Sequence, residues 1–172
     1  MDALFQTQSN ELSTTTQKEK LFKDAERQWN TLSTEKGAPG RKVDFEIYKS
    51  ILYNLEIRKV YLDSKLSLEK FSSIVGTNTT YLSNAVNNYF GCNFKRLINS
   101  YRVVRAKELL DGKDCPVNEL FSRCGFASKS VFYVAFRKVV GMTPLQYISQ
   151  SRNPFYDSTQ LSPFITINIL SF

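Results

Sequence analysis

The chain has 172 residues, of which 42% are hydrophobic and 23% charged, a composition that is typical of globular proteins and excludes a wholly disordered or collagen-like chain. The longest apolar stretch, residues 164–170, is far shorter than the ~18 residues of a membrane span, and the first residues lack the basic and apolar regions of a signal peptide. The net charge is +7, and residues 93–152 contain that whole excess, with 11 Lys and Arg against 4 Asp and Glu.

The N-terminal region, residues 1–43, is predicted to be a polar segment with a short helix and a linker. Residues 1–16 are rich in Gln, Ser and Thr, and we expect them to be frayed. Over Gln17–Leu32 apolar residues recur at helical spacing, which predicts a short amphipathic helix. The stretch Lys36–Lys42 contains two glycines and a proline and therefore predicts a loop or linker.

Residues 44–151 are predicted to fold as one all-α domain. Its first helix begins with Asp44 as N-cap and ends at Tyr61, with Ile47, Ile51 and Leu55 on one face. Shorter helices follow, marked by Ser, Thr, Pro and Gly at their ends, and Ser67 and Thr143 are expected N-caps. These helices are predicted at Leu66–Val75, Asn78–Phe90, Asn93–Leu110, Pro116–Cys124, Ser128–Val140 and Pro144–Ser151. In the tail, residues 152–172, the stretch Phe155–Phe172 is apolar enough for an extended strand-like segment.

Two stretches of this domain resemble each other. Residues 67–91 read SLEKFSSIVGTNTTYLSNAVNNYFG, and residues 116–141 read PVNELFSRCGFASKSVFYVAFRKVVG. Their alignment pairs Gly76 with Gly125 at an offset of 49 before the turn, and the offset is 50 after the turn. Each copy is a helix, a turn with glycine and a second helix, which is the sequence form of a helix-turn-helix. We therefore predict a first unit over residues 66–91, a linker helix over 93–111 and a second unit over 116–141, in a homeodomain-like fold.

This arrangement suits a DNA duplex. A major groove about 12 Å wide accepts one α-helix, which the preceding helix braces. The predicted linker helix has 18 residues, hence roughly 27 Å of length, near the ~34 Å between successive major-groove faces on one side of a duplex. The basic segment 93–152 agrees with a polyanionic partner. The alternatives are a helical bundle without a ligand and a basic face that serves solubility.

The residue types argue against an enzyme, a metal site or a cofactor site. The chain has no His, the commonest general acid/base and metal ligand. Its three cysteines, Cys92, Cys115 and Cys124, form no C-x-x-C pair, and no glycine loop that cradles phosphates occurs. An odd number of cysteines without a secretory signal favours free thiols in a reducing cytoplasm.

Residues 44–150 resemble the DNA-binding domain of the AraC/XylS family of bacterial transcriptional regulators, which contains two helix-turn-helix units. The second unit and its continuation, Gly125–Ile148, read GFASKSVFYVAFRKVVGMTPLQYI, against the family pattern G-F-x-S-x-S-x-F-x-x-x-F-[KR]-K-x-x-G-x-[TS]-P-x-x-Y. The first unit with YLDSKLSLEKFSSIVGTNTTYLS, and then FGCNFKRLINSYRVVRAKELL, follows the family into the linker helix.

The resemblance implies sequence-specific binding of double-stranded DNA and control of transcription, with contacts to RNA polymerase. The first recognition helix then presents Asn78, Thr79, Thr80, Ser83 and Asn84 to the groove; the second presents Ser128, Lys129, Ser130, Tyr133 and Val134, with Arg137 and Lys138 suited to phosphates. Each has a purely structural alternative: Ser128 as a helix cap, Tyr133 as a packing residue, and Arg137 and Lys138 as a solvated face. The oligomeric state, monomer or dimer, is open.

Four positions depart from the family pattern. Asn84 and Val134 stand where the family usually has Arg in each recognition helix, Phe121 stands where it favours Ala, and Ile148 replaces a frequent Arg. A bidentate Arg–guanine contact is worth roughly 1–3 kcal/mol of discrimination. The alternative function is therefore a degenerate member with weak DNA binding that acts as a protein-interaction module.

Affinity for DNA is then expected to come mainly from the linker helix and the second unit. The positive charge of this region is carried by Lys95, Arg96, Arg102, Arg105, Lys107, Lys129, Arg137 and Lys138. About five phosphates are expected to be neutralised. Regulators of this family commonly carry a sensor domain, and residues 1–43 are too short and polar to form one. The sequence is therefore expected to be either a piece of a longer regulator or a small stand-alone one.

Overall fold

The computed structural model describes residues 3–35, 42–112 and 116–151 of the chain, in which no β-strand occurs; this confirms the all-α fold class. The extended segment predicted for Phe155–Phe172 lies outside these residues. None of the described helices is long and apolar enough to cross a membrane. The α-helices are α1 (Ala3–Glu35), α2 (Lys42–Leu52), α3 (Leu68–Val75), α4 (Thr79–Phe90), α5 (Phe94–Asp111), α6 (Leu120–Arg123), α7 (Lys129–Val140) and α8 (Pro144–Ser151).

Helix α1 has 33 residues, so the prediction of a short helix over Gln17–Leu32 is wrong. Residues 3–16, expected to be frayed, contain neither Gly nor Pro, and nothing in the local sequence therefore ends the helix. The predicted apolar face is confirmed, because Leu21, Ala25 and Trp29 are buried in a core shared with α2. Most of the predicted linker, residues 36–41, lies outside the described residues.

The long helix predicted from Asp44 to Tyr61 is interrupted. Helix α2 ends at Leu52 and continues as a π turn, Tyr53–Ile57, and a 3₁₀ turn, Val60–Leu62. Lys59, between the two turns, has φ of 50° in the left-handed region. Asp44 lies in the first turn of α2 and is not its N-cap, because its carboxylate accepts hydrogen bonds from tyrosines of α4.

The remaining helices begin mostly where their capping residues predict. Ser67 caps α3, and Thr143 caps α8 in a reciprocal pair with Gln146. The helix predicted over Pro116–Cys124 is wrong at its start. Helix α6 begins at Leu120, after a turn in which the Glu119 N–H donates to the Pro116 carbonyl (2.9 Å). The residue before Pro116 is a cysteine, which offers no N-cap oxygen.

Helix α5 belongs to two hydrophobic cores. Its first half contributes Leu97, Ile98 and Tyr101 to the core built by α1, α2, α3 and α4. Its second half contributes residues from Val103 to Leu110 to the core built with α6, α7 and α8. The linker helix is thus packed along most of its length and fixes where both units stand.

Arg102 and Gly125 join the two units. The Arg102 guanidinium is buried and donates to the carbonyls of Tyr61 (2.7 Å) and Asp63 (2.8 Å), and it lies 5.5 Å from the ring centre of Phe126. Gly125 has φ of 79°, and a Cβ at this position would lie 2.5 Å from the Tyr61 carbonyl oxygen. The turn of the second unit therefore rests directly on the chain that leads into the first.

Candidate nucleic-acid interface

The recognition helix of the first unit, α4, presents a polar face without charge. Asn78 caps the helix, its Oδ1 accepting the Tyr81 N–H at 2.8 Å. Thr80 and Asn84 are exposed, whereas Thr79 and Ser83 are half-buried. The opposite face is apolar, since Leu82, Ala85 and Val86 are all buried. The sites predicted on α4 therefore share one side, which carries hydrogen-bonding groups only.

The recognition helix of the second unit, α7, presents cations and an exposed valine. Ser128 caps the helix through the Val131 N–H (3.3 Å), as its structural alternative predicted. Val134 is 70% exposed. Tyr133 is half-buried, with its ring edge-on to Phe132 at 5.5 Å. The other predicted residues on this helix are exposed: Lys129, Ser130, Arg137 and Lys138.

Lys129 is held beside the start of α7. Its Nζ lies 3.2 Å from Asn118 Oδ1 and 5.7 Å from the ring centre of Tyr133. Both partners are uncharged, so the full positive charge remains available to an anion at this end of the helix.

An open groove of about 650 Å³ separates the first half of α5 from α7. Lys95 and Arg96 line it from α5, and Lys138 lines it from α7. Val131, Val134 and Val139 supply apolar surface on the α7 side. The lining residues include no acid, so the electrostatic potential of the groove is positive and continuous with the exposed face of α7.

Two arginines of α5 that are counted toward the positive charge expected to bind DNA have partners within the protein. The expected contribution of Arg102 is wrong, because its guanidinium is buried and bound to backbone carbonyls. Burial lowers the pKa of Arg102, which nevertheless keeps its charge in a network of acceptors. Arg105 is paired with Glu108 at 2.9 Å, and that hydrogen bond raises its pKa. Sequence reasoning missed the structural role of Arg102 because its acceptors belong to distant backbone.

Asp44 holds α4 through two tyrosines of that helix. Its carboxylate accepts hydrogen bonds from the hydroxyls of Tyr81 and of Tyr89, the latter at 3.1 Å. Burial and the hydrogen bond to Asp44 raise the pKa of Tyr89 to about 12, so its hydroxyl is a proton donor at neutral pH. The sequence signal for this contact, a carboxylate in the first turn of α2, pointed instead to a helix cap.

Phe121, where the family favours Ala, is half-buried at the edge of the second core. It lies within the four-residue helix α6. The packing therefore accommodates the larger ring near the surface, while Ala135 of α7 is buried.

The chain is similar to known helix-turn-helix proteins. Residues 71–150 match a protein-family model described as a helix-turn-helix domain. The transcriptional activator RhaR of Enterobacter sp. strain 638 is 31% identical, and the match covers 53% of this chain and 32% of the relative. The regulatory protein PocR of Salmonella typhimurium is 33% identical over 52% of this chain and 31% of the relative. The melibiose operon regulatory protein of Escherichia coli K12 is 27% identical over 71% of this chain and 40% of the relative. The chain therefore spans only a minor part, at most 40%, of the length of these relatives.

Two solved structures have a similar fold. The C-terminal domain of AraT, a response regulator from Geobacillus stearothermophilus, superposes with a TM-score of 0.55 at 27% identity, covering 67% of this chain and 93% of that domain. The C-terminal domain of the two-component response regulator yesN from Fusobacterium nucleatum superposes with a TM-score of 0.51 at 28% identity, covering 57% and 95%.

Proposed function

We propose that the protein binds double-stranded DNA and regulates transcription, because residues 71–150 match a helix-turn-helix domain and are similar to regulators of the AraC type. A domain of this type is a part of transcriptional regulators and is not an enzyme. RhaR is named as a transcriptional activator and the melibiose protein as an operon regulator; we propose a related role for this chain.

The observation that carries the proposal is the exposure of both recognition faces. Thr80 and Asn84 on α4, and Ser130 and Val134 on α7, are exposed while the other sides of both helices are buried. Trp29 of α1 contacts the far side of α4 through Tyr89, so the described part of α1 does not cover the polar face. Helices with one exposed polar face and a braced back are suited to the major groove.

We propose that the two helices occupy successive major grooves of one duplex. Helix α5 has 18 residues and is therefore roughly 27 Å long, which supports a spacing near one helical turn of DNA. Its membership of both cores, together with Arg102 and Gly125 at the joint, supports a fixed separation.

The two faces suggest a division of labour. Asn84 is suited to a bidentate contact with adenine, and Val134 to the methyl group of thymine. The cations Lys95, Arg96, Lys129, Arg137 and Lys138 are suited to about five phosphates. We therefore expect the logarithm of the binding constant to fall with the logarithm of salt concentration at a slope of about −4 to −5. A flat salt response contradicts this assignment.

Selection of bound sites from random DNA tests the proposed function. Two enriched half-sites one helical turn apart are expected, with nanomolar affinity at physiological salt. One enriched half-site limits base readout to one unit, which Asn84→Ala and Val134→Ala variants then identify. Binding that is sequence-blind and abolished by salt contradicts a specific regulator.

The absence of charge on α4 favours a second candidate, a degenerate domain that binds DNA weakly and acts through protein contacts. In that case selection enriches no sequence.

We further propose that the protein contacts RNA polymerase. We also propose that it is located in the cytoplasm of a bacterium, because a regulator of this kind meets its DNA and the polymerase there. Whether it binds as a monomer or a dimer is measured by the number of chains bound to each selected site.

A further inference from the structure

We propose that Asp44 is a positioning residue for DNA recognition: by binding Tyr81 and Tyr89 it sets the orientation of the recognition helix α4, and α1 supports this contact through Trp29. The inference rests on the proposed function, since it names how one of the two recognition helices is held. It adds to that function a part for α1 and α2.

The geometry of the contact restrains α4 at both ends. Tyr81 lies in the first turn of α4 and Tyr89 in its last, and both hydroxyls meet the single carboxylate of Asp44. A helix bound at one point can still swing about it, whereas two points about two turns apart restrain both tilt and axial rotation. Hydrogen bonds to an ionised carboxylate are roughly twice as strong as those between neutral groups.

Helix α1 packs against Tyr89, one of the two tyrosines that donate to Asp44. The Trp29 ring lies 4.7 Å from that of Tyr89 and 5.4 Å from that of Phe45, the residue after Asp44. The adjacent Gln28 accepts a hydrogen bond from the Tyr48 hydroxyl of α2 at 2.8 Å. Trp29 is 7% exposed, so displacement of α1 removes the cover from one of the two donors to Asp44.

The orientation of α4 matters for base contacts because the side chains that are suited to them, Asn84 and Thr80, are short. Asn84 has no charge with which to act at a distance, and an amide–base contact requires donor and acceptor within about 3 Å at good angles. A small rotation of α4 therefore costs the contacts of Asn84 and Thr80, while leaving those of α7 unchanged.

The second unit provides an internal contrast. At the offset of 50, the positions of Tyr81 and Tyr89 are occupied by Val131 and Val139. Neither side chain can donate a hydrogen bond, and both line the open groove against α5. The tyrosine–aspartate contact is therefore specific to the first unit.

The test compares affinities for two DNA probes: the selected site, and the same site with the half-site of the first unit scrambled. We expect Asp44→Asn to reduce the ratio of the two affinities by about five- to tenfold. A partly unfolded sample lowers both affinities equally and leaves the ratio unchanged. Glu46→Gln is the matched control, because Glu46 is a 57% exposed carboxylate on the same helix that pairs only with Lys49 among the described residues; its ratio should equal that of the unaltered protein.

The double variant Tyr81→Phe, Tyr89→Phe keeps both rings and removes both donors, and the same fall in the ratio is expected. Trp29→Ala should lower the ratio by a smaller factor. An unchanged ratio in Asp44→Asn and in the tyrosine variant overturns the inference, and an unchanged ratio in Trp29→Ala alone overturns the part assigned to α1. If the unaltered protein binds no specific DNA, the proposed function itself has failed, so the two failures are distinguishable.

Discussion

In the first unit, Asp44 of α2 and two tyrosines of α4 fill the space between these two helices. In the second unit, valines occupy the equivalent positions of α7, and an open groove lies between α7 and α5. Both recognition helices nevertheless have a side-chain N-cap and a glycine C-cap, and the three buried positions of α7 are also buried in α4. The helix-turn-helix plan of both units therefore depends on caps and core. The contact of the recognition helix with α2 or α5 differs between the units, and the charge beside the recognition helix differs with it.

The largest difference between the units is expected at the equivalent glycines of their turns. Gly125→Ala must place a Cβ 2.5 Å from the Tyr61 carbonyl oxygen at φ of 79°, so we expect a loss of about 3–5 kcal/mol in the free energy of unfolding. Gly76→Ala has the same kind of backbone, φ of 84°, with nothing within 4 Å, and should lose only about 1 kcal/mol. Urea denaturation measures both, and equal losses contradict the close approach of the two units.

The next largest effect is expected at the joint itself. Arg102→Met leaves the buried Tyr61 carbonyl and the partly buried Asp63 carbonyl without their donor, which should cost about 2–4 kcal/mol of unfolding free energy. Arg105→Met removes a partly exposed pair with Glu108 and should cost less than about 1 kcal/mol. The loss of Arg102 should also weaken binding to DNA with two half-sites more than to DNA with one. Similar stability losses for the two variants imply that Arg102 is not a structural residue.

Base readout should differ between the units by a smaller amount. Asn84→Ala should lose about 1–3 kcal/mol of discrimination at one base pair of its half-site, because an amide contact is bidentate. Val134→Ala should lose under ~1 kcal/mol, about the value of one methylene group removed from water. Replacing thymine by uracil in the second half-site removes only the methyl group and should reproduce the Val134 effect. Fluorescence anisotropy with substituted probes measures each term, and a uracil probe that binds equally well contradicts the apolar contact.

The smallest change in unfolding free energy is expected on replacing a carboxylate that accepts a hydrogen bond from a buried tyrosine, and each core contains one such tyrosine. Tyr101 donates to Glu56 at 2.7 Å, and burial raises the pKa of Glu56. The folded state therefore holds the proton of Glu56 more tightly than the unfolded chain, and ionisation costs stability as the pH rises through the folded pKa. Glu56→Gln should gain under ~1 kcal/mol at pH 7, and the gain should vanish as the pH falls.

The second core provides the opposite case. Tyr147 donates to Asp111 at 3.0 Å, but Asp111 is exposed, so its charge remains solvated. Asp111→Asn should lose a small amount of stability where Glu56→Gln gains. Urea denaturation at several pH values separates the two, and a stability gain in both variants contradicts the contrast in burial.

Much of the domain was predictable because its signals are local. Ser67 and Thr143 bind N–H groups three residues further along the chain, and the apolar positions of α4 and α7 repeat at the helical period. The repeat, the linker helix and the AraC-type pattern follow from these short-range features. Local signals also misled where a tertiary contact competed with them: Asp44 resembles an N-cap but binds tyrosines of another helix.

The order of the helices, the duplicated unit and the position of the positive charge along the chain follow from the sequence alone. Which charged groups are used for packing and which face the solvent depends on how the helices pack together. Arg102 bonds to backbone 39 and 41 residues away, and Asp44 bonds to side chains 37 and 45 residues away. Such partners are brought together by the burial of apolar side chains from several helices at once, so no window of the sequence contains both members of the pair.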